Sequence, residues 1–179
     1  MLLSTVVETS RRVAETTKRR EKSEALAALL RQLMPDEIAV VVPYLAGGTR
    51  QGRVGIGYAM IRDAMAPPAP EATLQVTEVD RMLDAYADVQ GAGSAARRRE
   101  IVQAVFARAT EAEQQFLTGL LMGELRQGAL EGIMVEAVAK ASGASVARVR
   151  QAVMMAGDIA PVARAAMERG EAGLSQYDL

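Results

Sequence analysis

The chain has 179 residues, half of them hydrophobic, with a formal net charge of −1 and with two Phe, four Tyr and no Trp, Cys or His. Without Cys there is no disulfide and no thiolate metal site, and without His a histidine triad and the commonest general base and zinc ligand are excluded. The length suffices for one sizeable core or two small ones, and the apolar content excludes whole-chain disorder.

Ala, Leu, Met, Glu, Gln and Arg dominate, and all are strong helix formers. The expected fold is all-α, a helical bundle of about ten helices. A first helix is predicted from Ser4 to Thr17, with Leu3, Val6, Val7, Val13 and Ala14 on its apolar face. A second spans Arg19 to Met34 and carries Leu26, Leu29, Leu30 and Leu33. Pro35-Asp36-Glu37 opens a third, since Pro is tolerated and acids are favoured in a first turn. That helix stops at Gly47-Gly48, and Pro43 should kink or shorten it.

Five of the eleven residues from Gly47 to Gly57 are Gly, so this segment is a loop whose backbone conformation matters. A short helix follows from Tyr58 to Met65. Pro67-Pro68-Ala69-Pro70 is then a stiff connector and the expected joint between two subdomains, near residues 66–73. Thr77-Glu78-Val79-Asp80 resembles a capping box and opens a helix to Val89. Ser94 is the expected cap of a helix with Arg97, Arg98 and Arg99 in its first turns. Three cations there oppose the helix dipole, a conflict that a bound anion would relieve. Thr110 to Glu113 is a second capping box, opening a helix that is predicted to run to Arg126. A Gly-led helix is expected next, beginning at Gly132. Gly143 and Gly157 read as helix ends, and Ser145 and Asp158 as N-caps.

Residues 1–66 hold ten Lys/Arg against seven Asp/Glu, and residues 67–179 hold eleven against fifteen. A nearly neutral chain with local basic patches binds phosphates weakly and with strong salt sensitivity. No apolar run is long enough to span a bilayer, and Ser4, Thr5, Glu8 and Thr9 interrupt any signal peptide, so a cytoplasmic protein is expected.

The Gly47–Gly57 loop is no Walker A, because no Gly-Lys-Ser/Thr follows, and no strand precedes it as a dinucleotide fingerprint needs. It is either a plain connector or a loop that approaches a sugar–phosphate backbone, with Arg50 and Arg53 beside it. Arg97 to Arg99 read as a solvated helix face, with phosphate contact as the alternative. The joint from Gly123 through Arg126 and Gly128 to Gly132 offers free N–H groups at a helix start beside a guanidinium, a place to hold a phosphate. Glu111, Glu113, Glu124, Glu131 and Glu136 fit caps and solvent-facing positions better than a metal or acid–base cluster. Ala139 to Val149 has helix-turn-helix spacing, with Ser145–Met155 as the recognition helix of an alternative sequence-specific regulator.

Phe116-Leu117 through Ala139, with Arg53-Val54-Gly55-Ile56-Gly57-Tyr58, resembles the N-terminal DNA-binding domain of ATP-dependent DNA ligases, and actinobacterial ones above all. The resemblance runs nearly end to end, and Gly123-Glu124-Leu125-Arg126-Gln127-Gly128-Ala129 is its most specific segment. It implies an all-α domain that grips nicked double-stranded DNA along the sugar–phosphate backbone on the minor-groove side. By that resemblance Gly55, Ile56 and Gly57 form one DNA-contacting loop. Arg126, Gly128 and Ala129 form another, with the next helix starting at Gly132. Arg53, Arg97 and Arg98 are added by charge and proximity. Gln127 and Leu130 stand where other members vary and are assigned no role.

Ligation needs a lysine in a Lys-x-Asp-Gly context to take AMP from ATP. Lys18, Lys22 and Lys140 are the only lysines, and none has that context. The implied chain is a non-catalytic domain with no metal site of its own. ATP and magnesium are expected for the full-length ligase, and the adenylation domain of the same polypeptide is expected as a partner. A monomer, associated with the nucleoid and serving DNA repair, replication or recombination, completes the expectation.

Overall fold

The computed structural model describes residues 1–125 and 130–178. Among these residues it is all-α. The helices are α1 (Leu3–Glu15), α2 (Arg19–Leu30), α3 (Pro35–Leu45), α4 (Tyr58–Ala64), α5 (Val76–Asp88), α6 (Ser94–Arg108), α7 (Glu111–Met122), α8 (Leu130–Ser142), α9 (Val146–Ala156) and α10 (Ile159–Arg169). A 3-10 helix, Gly170–Tyr177, follows α10. The only extended pairing among the described residues is one antiparallel bridge, Leu2 to Gln75. No described helix is long and apolar enough to cross a membrane.

Most helix boundaries follow the sequence, and the exceptions have local causes. The second helix stops at Leu30 rather than Met34, because Met34 precedes Pro35 and is extended, with φ −71° and ψ 155°. Pro43 lies in the last turn of α3, which ends two residues later. The box at Thr77 and Asp80 does not form. Gln75 is the N-cap of α5 instead, and the Glu78 carboxylate accepts from the Gln75 N–H. Ser94 is the first helical residue of α6 rather than its cap, because Gly93 turns the chain at φ 76°.

The chain divides into two compact units, Met1–Val7 with Gly47–Arg126 and Glu8–Ala46 with Gln127–Leu179. In the first, α6 packs on both α4 and α5. Its buried residues include Ile61, Leu74, Leu83, Val102, Phe106 and Leu117. The chain start is fastened by Leu3 N–H to Leu74 O (2.8 Å) and Val76 N–H to Met1 O (3.0 Å). Pro67–Pro70 joins α4 to α5 inside this unit, where the Ala69 N–H donates to Ala109 O at 2.9 Å. The buried Gln114 amide donates to Ala66 O and Phe106 O, both at 2.9 Å, and so fixes that connector against the end of α6.

In the second unit the most extensive pairing is α2 with α8, followed equally by α3 with α10 and α10 with the 3-10 helix. Ser23, Leu26, Ala27 and Leu30 form the buried stripe of α2, at the i, i+3, i+4, i+7 spacing of one helix face. Ile133, Met134, Ala137 and Val138 are buried on α8. Arg19 pairs with Glu136 at 2.8 Å, and Arg31 donates to the Lys140 carbonyl at 3.1 Å, satisfying an orphan group at the end of α8. Ser145 and Asp158 are N-caps as expected, accepting from the N–H groups of Arg148 and Ala160.

Replacing Gln114 by Leu, a side chain of similar size, takes the side-chain donor from Ala66 O and leaves Phe106 O with the Ala109 N–H alone. The expected cost is about 1–3 kcal/mol, read as a lower urea midpoint with an unchanged slope.

Candidate nucleic-acid interface

The Gly47–Gly57 loop is fixed at two points. Thr49 to Gly52 close a turn, with Gly52 N–H to Thr49 O at 3.0 Å and the Thr49 hydroxyl to Gly52 O at 2.8 Å. Its tip is tied to α5. Arg50 donates from Nε and Nη2 to the two Asp80 carboxylate oxygens (3.1 and 3.0 Å) and from Nη2 to Asp84 (2.7 Å). The Gln51 amide donates to Asp80 Oδ1 at 2.7 Å and Asp84 Oδ1 at 3.0 Å. The hydrogen bond to Asp80 raises the Arg50 pKa further above its ordinary value. The second fixed point is Ile56, which is buried.

Around these anchors the loop alternates between exposed and half-buried residues. Arg53, Gly55 and Gly57 are exposed, and Arg53 makes no ion pair among the described residues. Gly55 has φ 78°, where a side chain is strained, whereas Gly57 at φ −95° is extended and is the N-cap of α4. A cleft of about 670 Å³ runs along this segment, with Arg53, Gly55, Ile56 and Gly57 on one side. Leu120 to Gly123 form the other side.

Those four residues are the C-terminal turn of α7. Its start is the capping box expected there, with Glu113 N–H to Thr110 Oγ at 3.3 Å and Thr110 N–H to Glu113 Oε1 at 2.9 Å. Its end comes earlier than the predicted Arg126. Gly123 takes φ 71°, its N–H bonds to Leu120 O, and the Glu124 N–H reaches back to Gly119 O at 2.9 Å. This six-to-one closure terminates a helix. Leu125 then folds back onto the face of Gly119, where a Cβ would stand 3.1 Å from its side chain.

Arg126, Gly128 and Ala129 lie outside the described residues. Gly132 does not lead a helix but lies inside the first turn of α8, in the other unit, and a Cβ there would stand 3.2 Å from Arg19 Nη2. Of the arginines early in α6, Arg98 is engaged within its own unit. It donates to Val89 O at 2.9 Å, at the end of α5, and its guanidinium carbon stands 5.4 Å from the Tyr86 ring centroid. Arg97 and Arg99 are exposed, with Glu100 3.9 Å from Arg97.

The helix end expected at Gly143 forms, with φ 80°. On the helix that follows, Arg150 and Gln151 are exposed, whereas Arg148 is taken up by acids. Arg148 is paired with Asp178 at 2.6 Å and stands 3.8 Å from Glu171, and its hydrogen bond lowers the Asp178 pKa. Met154 and Met155, both exposed, occupy the outer face of that helix and supply no hydrogen-bond donor.

Residues 58–139 match the family described as DNA ligase N terminus. The whole chain is 50% identical to a probable DNA ligase of Anaeromyxobacter dehalogenans strain 2CP-C and covers 36% of it. It is 45% identical to probable DNA ligases of Nocardia farcinica and Streptomyces griseus, covering 34% and 35% of them. The chain thus spans about a third of the length of these relatives. Over its full extent it resembles the N-terminal region of DNA ligases, actinobacterial ones included. No comparison favours a helix–turn–helix regulator.

Sequence reasoning misses Asp80, Asp84 and Gln51 at this site. It places Asp80 in a helix cap, whereas the pairing with Arg50 joins residues thirty positions apart. The one signal in the sequence is a pair of aspartates at i and i+4 on a predicted helix.

No atom lies within 4 Å of where a Cβ at Gly55 or Gly57 would stand, so backbone strain at Gly55 and the cap preference at Gly57 set the cost of their Ala variants. Gly55→Ala is expected to cost about 1–2 kcal/mol in a denaturation series, and Gly57→Ala about 0.5–1 kcal/mol.

Proposed function

We propose that this chain binds nicked duplex DNA without sequence preference, through the sugar–phosphate backbone on the minor-groove side. It thereby positions the nick for ATP-dependent ligation by catalytic domains outside this chain. One observation carries the reading. The loop around Gly55 and the turn that leads into the 124–129 segment border the same cleft within one compact unit.

The chemistry suits a backbone reader. A loop with Gly at 55 and 57 is thin enough for its peptide groups to come close to a phosphate or sugar. The contribution of Ile56 is its main chain, since its side chain is buried. Arg53 supplies a guanidinium without an ion pair among the described residues. Arg97 adds charge from the start of α6, and Arg98 supports the end of α5. Arg126, Gly128, Ala129 and Gly132 complete the proposed contact set. Such contacts fix position and orientation on a duplex and carry no base information.

ATP and magnesium belong, in this reading, to the parts of the ligase beyond this chain. The residues here do not fit them. No lysine stands in a Lys-x-Asp-Gly context, and the Asp80–Asp84 pair is already occupied by Arg50 and Gln51. The proposed setting is a monomer in the cytoplasm, on nucleoid DNA, acting in repair, replication or recombination with the adenylation domain of its own polypeptide.

Fluorescence anisotropy on a nicked duplex tests the reading. Log affinity is expected to fall linearly with log salt, by about 0.9 per neutralised phosphate. Arg53→Ala is expected to weaken binding equally on unrelated sequences and to reduce that slope by about one contact. A salt-independent affinity, or one enriched sequence after selection on random duplexes, would overturn it.

A further inference from the structure

The loop proposed to meet DNA is tied down by acids. Asp80 and Asp84 lie one turn apart on α5, and together they accept three hydrogen bonds from Arg50 and two from the Gln51 amide, besides the bond from that amide to the Asp80 carbonyl (3.1 Å). The Asp80 side chain is 15% exposed, so its charge is largely withdrawn from solvent by these donors. Two carboxylates beside a surface that receives a polyanion are unfavourable by charge alone. The same Arg50 would be a ready phosphate ligand if they were absent. The arrangement therefore gives up one cation and adds two anions at the loop.

What it gains is order. A segment with five glycines in eleven residues loses more backbone freedom on fixing than other sequences do. Binding to DNA would carry that loss as a penalty on affinity unless the loop were already held. The ties fall at residues 50 and 51, before exposed Arg53, half-buried Val54 and exposed Gly55, and the buried Ile56 holds the other end of this stretch.

We propose that Asp80 and Asp84 are positioning residues for DNA: their clasp on Arg50 and Gln51 holds the Arg53–Gly57 segment in its binding conformation. The inference rests on the nucleic-acid reading above. It makes a prediction opposite in sign to electrostatics. Removing both negative charges weakens DNA binding.

The test uses the 179-residue chain and a fluorescein-labelled nicked duplex, with D80A/D84A and D80E/D84E compared with the parent. Ala favours the helix at both positions, and matched circular dichroism and melting temperature establish that the variants fold. D80A/D84A is expected to bind about five-fold more weakly, with faster amide exchange at Gly52–Gly57 in the absence of DNA. D80E/D84E, which restores the carboxylates at the parent's net charge, is expected to recover most of the affinity and the slow exchange. A parent chain that binds while D80A/D84A binds equally or more tightly overturns this inference alone and makes Arg50 a masked phosphate ligand. A parent chain that leaves the nicked duplex unbound overturns the nucleic-acid reading and this inference together.

Discussion

The candidate interface depends on holding a glycine-rich segment still. Glycine permits the close approach that a backbone-reading loop needs, and it also removes the steric limits that would keep such a loop in one shape. The chain resolves this conflict with ties outside the glycines themselves. A turn closed at Thr49–Gly52, an arginine and a glutamine bound to two aspartates, and one buried isoleucine leave a short, largely exposed stretch between fixed ends. The neighbouring wall is constrained by similar means, since Gly123 stops α7 and Leu125 packs back on Gly119.

The charge distribution reads differently once partners are known. The basic runs of the first 66 residues suggest a cationic surface, yet much of that charge is internally answered. Arg11 is held by Glu8 and Glu15, Arg20 by Glu24 and Arg50 by Asp80 and Asp84. Exposed pairs of this kind add little stability, but they do reduce the field available to a polyanion. What remains near the cleft is sparse, with Arg53 the uncommitted cation among the described residues there.

The limits of sequence reading have physical causes that differ from residue to residue. Ser145, Asp158 and the Thr110–Glu113 box are legible because a cap is satisfied within three residues of itself. Gln75 displaces Thr77 as a cap because the chain start pairs with Leu74 and Val76 and keeps this stretch extended up to Gln75. Asp80 is thereby left for a partner thirty residues away, which no local spacing could reveal. The inward role of Arg98 is hidden for the same reason, since its acceptor is the carbonyl of Val89 across a turn.

By itself the sequence determined the helical class, nearly every helix, the caps at Thr110, Ser145 and Asp158, the glycine loop, the absence of a ligating lysine motif and the resemblance to DNA ligases. These rest on local propensity, on short-range hydrogen bonds and on contiguous motifs. Tertiary structure alone decided that the Gly55 loop and the end of α7 border one cleft, and that Gly132 sits inside the first turn of a helix rather than leading it. It also decided that Arg50 is bound by acids while Arg53 has no ion pair among the described residues. Those outcomes depend on which distant residues packing brings together, and a linear pattern carries no record of that.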